Sequence, residues 1–284
     1  MRHLLLIGLV ALSYTNSKAV AGGPGAPMSK GSFFLYWGYN QAGYSWSDIH
    51  FRGAEYDFTL RHVIARDRPE KFNARTYFSP LSMWVPQYNY RAGWYFHSRW
   101  SISVGMDHMK YILVKDQQVL ADGTIHDPAG SATYVGDGQR EMILSEDVIT
   151  YEHTDGLNLL SVDVDHYDPL WAGANGRFAL HLFEGFHAGP VIPRTDVRLF
   201  GEGINNKFHL AGYGIGVQAG AHLTLFRHGF LRFTGKAGWI DMPSVLTRGT
   251  DGDRASQHFW FWQGALVAGA QFRIGRRQDP AVPH

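Results

Sequence analysis

Carboxylates, basic residues and fifteen histidines carry whatever chemistry this 284-residue chain can do. Asp163 and Asp165, two apart in an alternating stretch, point the same way about 7 Å from one another, and Asp107 holds the equivalent position in another stretch. Arg61, Arg91, Arg232, Lys236 and Arg273 occupy the same polar face of further alternating stretches, as do His181 and His222. Charges of both signs on one face of a closed wall have two uses. They neutralise one another as a polar filling, or they line a water-filled passage whose field sorts solutes by charge. Enzymatic and metal chemistry lacks its local motifs: the chain has no Gly-x-Ser-x-Gly, no His-Glu-x-x-His and no cysteine. His181 and His187, six apart, are about 20 Å from one another if extended and cannot share a metal by themselves.

The elements that position these groups are long strands. From His209 to Leu225 every second residue is apolar or aromatic, while Gly212, Gly214, Gly216, Gln218, Gly220, His222 and Thr224 form the opposite row. Such a period-two stretch outruns the mean soluble strand and is long enough to cross a hydrocarbon layer when tilted. The same alternation recurs at 33–43, 56–64, 88–97, 100–107, 141–153, 160–165, 177–189, 231–239 and 260–274. Ser98, Thr154-Asp155-Gly156 and Arg227-His228-Gly229 read as tight turns. If these turns lie on one side, ten strands break the up-and-down alternation, and two further strands at 73–79 and 194–201 restore it. The expected architecture is therefore all-β: a closed antiparallel up-and-down transmembrane β-barrel, most simply of twelve strands, with ten to fourteen compatible. Long connections at 44–54, 114–140 and 242–256 then fall on the outer side. The prolines at 69, 80 and 86 leave 65–86 open to a second reading, an irregular inner segment or plug.

The N-terminus points to export. Met1-Arg2-His3 is a short basic start, Leu4 to Leu12 an apolar core too short to span as a helix, and Ala19-Val20-Ala21 a small-x-small cleavage signal. The expected organisation is a signal peptide at 1–21, a short N-terminal segment at 22–31, the barrel at 32–275 and a tail at 276–284. A hydrophobic fraction of 45 % is too low for a helical membrane protein but fits a wall whose lipid-facing residues alternate with lumen-facing ones. In a soluble sandwich the same apolar row would face a dry core instead. A net charge of +1 with scattered basic residues gives no argument for nucleic acid.

Gly31-Ser32-Phe33-Phe34-Leu35-Tyr36-Trp37-Gly38-Tyr39-Asn40, Tyr56-Asp57-Phe58-Thr59-Leu60 and Gly105-Met106-Asp107-His108-Met109-Lys110-Tyr111 resemble a family of uncharacterised bacterial outer-membrane β-barrel proteins over most of the mature chain. The resemblance implies architecture and location, and it brings no catalytic residues. The expected place is the outer membrane of a Gram-negative bacterium, with outer-membrane lipid, lipopolysaccharide and small solutes as partners and no cofactor. Arg61, Arg91, Asp107, Asp163, Asp165, His181, His222, Arg232, Lys236 and Arg273 are the candidate lumen-lining residues; no catalytic, cofactor or metal residue is assigned. His108 and Lys110, near an outer strand end, are expected to reach toward headgroup phosphates. The functions left open are a narrow passive channel, a structural or surface protein, and an enzyme acting on lipid or lipopolysaccharide at the barrel rim.

Overall fold

The computed structural model describes residues 28–71, 73–79, 86–126, 134–201, 203, 207–248 and 252–274; the expected signal peptide and C-terminal tail lie outside them. In chain order the strands are β1 (Ser32–Tyr44), β2 (Ser47–Arg52), β3 (Tyr56–Val63), β4 (Ala65–Arg66), β5 (Tyr88–His97), β6 (Trp100–Leu113) and β7 (Gln118–Ile125). They continue as β8 (Gln139–Ile143), β9 (Ile149–Ala172), β10 (Ala179–Val191), β11 (Asp196–Leu199), β12 (Gly212–Leu225), β13 (Gly229–Leu246) and β14 (Arg254–Arg273). The one helix among the described residues, α1 (Ala74–Phe78), is capped by Asn73, whose side chain accepts from the Arg75 amide.

Eight strands close an antiparallel ring in the order β1-β5-β6-β9-β10-β12-β13-β14 and back to β1. Because ring neighbours follow chain order, the barrel is up-and-down, and the remaining strands are insertions between its members. Following residue partners once round from Phe34 through Gly93, Ser103, Asp163, His187, Gly216, Gly238 and Phe261 returns to β1 at Tyr44, ten residues further along (34 to 44). That stagger over eight strands tilts them by about 40°, so each residue climbs about 2.5 Å. The exposed outward row of β14, from Trp260 to Phe272, then spans about 30 Å, the thickness of a hydrocarbon core.

The ring strands continue beyond this belt, and their polarity inverts where they leave it. On β6 the outward residues are Trp100, Ile102, Val104 and Met106 and then His108 and Lys110, while the inward ones are Ser101, Ser103, Gly105 and Asp107 and then Met109, Tyr111 and Leu113. β9 repeats the change: Leu160, Val162 and Val164 face out beside inward Ser161, Asp163 and Asp165, whereas above them Thr150 and Glu152 face out and Ile149 and Tyr151 are buried. Below the switch the wall is apolar outside and polar inside, as lipid requires; above it the same strands are built like a water-soluble protein. The upper parts of β6, β9, β13 and β14 join β2, β3, β4, β7, β8 and β11 around one dry core that includes Ile49, Phe51, Phe58, Leu60, Met109, Tyr151 and Phe259. We call this part the outer layer.

The closed antiparallel barrel is the architecture expected from the sequence, but the fourteen strands among the described residues are distributed differently. Eight rather than twelve form the wall, because β2, β3, β7, β8 and β11 bury their apolar rows in the outer layer rather than against lipid. Thr154-Asp155-Gly156 is not a turn. β9 runs through it, and the ladder to β6 passes from Met109↔Leu157 to Tyr111↔His153, so the extra residues form a bulge with Gly156 at φ 127°. Residues 74–78 are helix rather than strand, 196–199 pair with β9 outside the ring, and the connection expected at 114–140 contains β7. Of the segment expected to be a strand or an inner plug, residues 72 and 80–85 lie outside the described residues, and its described helix lies outside the ring. Tyr77 meets the outward ring of Tyr39 edge-on, with centroids 4.5 Å apart, which places α1 against the outside of the wall.

Candidate functional site

The polar inner face of the ring is filled by two ionic clusters. In the first, the Arg91 guanidinium of β5 donates to Asp107 Oδ2 of β6 and to Asp163 Oδ1 of β9, each at 2.7 Å. Lys236 Nζ of β13 reaches the same carboxylates at 2.7 and 3.5 Å, and the Ser161 hydroxyl donates to Asp163 Oδ1 at 2.7 Å. Gly105 lies directly opposite Arg91, and a methyl there would run into the Arg91 side chain and the Tyr90 carbonyl. In the second cluster, Arg232 of β13 donates to Asp165 Oδ2 at 2.9 Å and to the Tyr167 hydroxyl at 2.7 Å, with its guanidinium 3.6 Å from the centroid of Phe183. Gln218 of β12 donates to Asp165 Oδ1 at 2.6 Å. Three basic and three acidic side chains thus balance, all of them buried. Each carboxylate faces at least one cation, and such charge-assisted partners replace water that the buried groups lose.

Further toward the turn end, His222 stacks on Phe230 at 4.4 Å and faces His181 across the β10–β12 pair, their ring centroids 6.4 Å apart. Aromatic side chains plug this end: Phe34, Tyr36, Tyr95, Tyr167, Phe183 and Phe230 form one buried cluster with Val267. At the opposite end the dry core of the outer layer sits on the ionic clusters.

Eight of the ten sequence-predicted lumen residues therefore lie inside the ring. Arg273 closes β14 at the turn-side mouth, where it is exposed and sits beside Gly31. Arg61 does not line the lumen. It belongs to β3 in the outer layer and pairs at the surface with Asp48 at 2.9 Å and Asp122 at 3.4 Å. Nor do His108 and Lys110 extend to headgroups: both are buried, His108 against Asn158 at 2.8 Å and Lys110 beside Glu70 at 3.6 Å. The cause is the short β5, which ends at Tyr88 while β1 and β6 continue. Side chains close the resulting seam. Asn40 donates to the His108 carbonyl at 3.1 Å, the Tyr44 hydroxyl donates to the Lys110 carbonyl at 2.7 Å, and Asp67 accepts from the Ala42 amide at 2.7 Å. The sequence analysis did not anticipate the segment that covers this seam.

The outer layer carries a second polar assembly that the sequence did not flag. A cleft of about 350 Å³ lies on the outward face of β6, β9 and β11, lined among others by Arg68, Lys115, Glu146, Glu152, Asp196 and Arg198. Asp196 stands directly across from Glu152, and Arg198 directly across from Thr150, so the β9–β11 ladder sets two carboxylates side by side with a guanidinium next to them. Lys115 is paired with Glu146. Glu152, Asp196 and the guanidinium groups of Arg68 and Arg198 make no hydrogen bond or ion pair among the described residues. Asp196 Oδ1 is hidden from solvent without a partner. Burial, with the neighbouring Asp196 adding to it, raises the Glu152 carboxyl above its ordinary value.

No protein-family model matches the chain, and no curated protein matches it. Solved structures similar to it include the outer membrane protein OprG from Pseudomonas aeruginosa, at 11 % identity, 87 % of this chain, 98 % of that one and a TM-score of 0.38. The outer membrane protein AlkL in lipid bilayers gives 9 %, 94 %, 100 % and 0.38, and Neisserial surface protein A gives 8 %, 86 %, 100 % and 0.32. The class of the protein follows from its own geometry. A closed, tilted eight-strand ring with a lipid-facing belt and a buried polar interior is a transmembrane β-barrel of the outer-membrane kind.

Proposed function

We propose that this chain is a structural and surface protein of a Gram-negative outer membrane, in which the barrel is an anchor and the outer layer is the working part. The observation that carries this reading is the bridge from Arg91 and Lys236 to Asp107 and Asp163, which ties β5, β6, β9 and β13 together across the lumen with every member buried. A narrow passive channel needs an aqueous path, and eight strands leave an interior that side chains can fill. Here salt bridges, an aromatic cluster and the dry core follow one another along the axis, so small solutes are not its cargo. The partners of the belt are outer-membrane lipid and lipopolysaccharide, with Trp239, Trp260 and Trp262 at the outer interface.

Reconstitution into planar bilayers tests this reading. The wild-type protein is expected to give no discrete conductance. Stepwise single-channel currents that change when Arg232 or Asp163 is neutralised would restore the channel reading.

A further inference from the structure

We infer that the outside of the wall carries a lipid site: one acyl chain of a membrane lipid lies in a furrow on the outward face of β5, β6, β9 and β10, its upper end beneath Asp155 and Asn158. The inference deepens the proposal that lipid is the partner of the belt and rests on that reading.

The furrow follows from the order of side-chain sizes across the strands. Outward residues meet their neighbours in rows, and Ala92, Val104, Val162 and Ala188 form one row of small side chains over four strands. The next row toward the turn end is bounded by large rings, with Trp94 beside Ile102 and Phe186 beside Val164. In the other direction Tyr90, Met106 and Leu160 stand side by side, and the wall there opens into a cavity of about 270 Å³ whose floor is Met106 and Leu160. On the β5 side Tyr88 and Tyr90 stack at 6.3 Å into one ridge, and the His108 ring lies parallel to Tyr88 at 4.7 Å. Ile192 and Phe208 form the opposite ridge, with the Arg194 guanidinium 5.9 Å from the Phe208 centroid.

The upper end of the furrow is polar and has its own partners. His108 Nδ1 lies 2.8 Å from Asn158 Oδ1, the Asn158 amide donates to the Ile192 carbonyl at 3.1 Å, and Arg194 pairs with Asp155 at 3.3 Å. That end falls where the outward row of β6 passes from Met106 to His108, the level at which the wall turns polar. From His108 down to Ile102 the strand descends about 15 Å, half of a hydrocarbon core of about 30 Å and thus the depth of one leaflet.

Lipid tails are as apolar as these side chains, so burial alone selects no chain and shape does. A tail on a convex wall touches protein on one side, whereas in the furrow it touches a floor and two ridges. An empty furrow forfeits those dispersion contacts, and water finds no hydrogen-bond partner on Met106 and Leu160. A saccharide on the same floor would leave its hydroxyls unpaired.

The test uses the full-length protein in nanodiscs of phosphatidylcholine doped with a phosphatidylcholine that carries a diazirine midway along one chain. Residues labelled on irradiation are located by mass spectrometry. Label at Val104, Met106, Leu160 and Val162 is expected to exceed that at Phe233 and Leu266, on the far wall, by about fivefold or more. Val104→Phe with Val162→Phe fills the furrow and keeps the belt apolar; it is expected to bring Met106 and Leu160 down to the far-wall level, while Leu266→Phe leaves them unchanged. Folding of each variant is checked by its heat-modifiable migration, and the comparison of the two walls needs no variant at all. Even labelling round the wall, or label at Met106 and Leu160 that survives the filled furrow, overturns the inference. Failure of the surface reading shows elsewhere: discrete bilayer currents would refute it and leave the labelling pattern intact.

Discussion

Replacing Arg91 by methionine keeps most of the side-chain volume and removes the guanidinium that two buried carboxylates share. Asp107 and Asp163 each lose a 2.7 Å charge-assisted bond, and Lys236, at 2.7 and 3.5 Å, is left as the sole cation for both. The cluster changes from two positive and two negative groups to one positive and two negative, in a place where each carboxylate is at most 1 % exposed. Leaving one such charge uncompensated costs about 3–5 kcal/mol, roughly a hundredfold to several-thousandfold in the folding equilibrium. Arg91→Met with Asp163→Asn removes one charge of each sign and leaves Asp107 paired with Lys236. The double variant is therefore expected to be more stable than the Arg91→Met single variant, a coupling of about 2 kcal/mol or more. Urea unfolding of the barrel in lipid vesicles, read by tryptophan fluorescence, measures all three proteins. A loss below about 1 kcal/mol for Arg91→Met, or a double variant less stable than the single, would refute the claim that this cluster is a closed, charge-balanced filling.

Two further outcomes follow from the outer layer and the belt. His153 lies in the outer layer, wholly buried, and burial, with His209 adding to it, lowers its imidazole to about 3. Below pH 6.5 the unfolded chain takes up a proton that the folded site refuses, so stability is full above 6.5 and falls as pH drops toward 3. Between pH 6.5 and 5 this one group costs about 2 kcal/mol, and His153→Asn is expected to flatten the slope of unfolding midpoint against pH by that amount. A slope unchanged in the variant would show that His153 titrates normally. On the belt, Leu266 faces lipid near mid-depth of β14, and Leu266→Arg is expected to cost about 2–4 kcal/mol in vesicles, whereas His258→Arg, above the belt on the same outward row, costs under about 1. Equal effects at the two positions would misplace the membrane boundary.

The row from Tyr213 to Leu225 was legible because glycine and small polar residues face it; such a row makes a poor solvent face and suits a crowded lumen. The row Tyr56, Phe58, Leu60 has the same period but stands opposite Asp57 and Arg61, which reach water. Period two reveals that one face is buried and is silent on whether lipid or protein buries it, so β3 joined the wall in the sequence reading. Asp155-Gly156 had turn chemistry and formed a bulge, since a residue tolerant of positive φ serves either. For the interior, alternation put Asp107, Asp163 and Asp165 on one polar row, and in the structure all three are buried and ion-paired. Their partners were not readable, because the ten-residue stagger of the ring decides which cation meets which carboxylate. The outer cleft was invisible for a related reason: Glu152 and Asp196 are 44 positions apart and become neighbours only when β11 pairs with the upper part of β9.

The central claim is that one continuous strand leaves the membrane partway along and exchanges the polarity of its two faces. The chain has no cysteine, so single cysteines for spin labels can be placed on β6 without background. Electron paramagnetic resonance in vesicles, with oxygen and an aqueous nickel complex as relaxants, should find Ile102 and Val104 open to oxygen, Ser103 shielded from both, and Ile112 open to nickel. Oxygen exposure of the outward row continuing to Ile112, or nickel reaching Val104, would contradict the account.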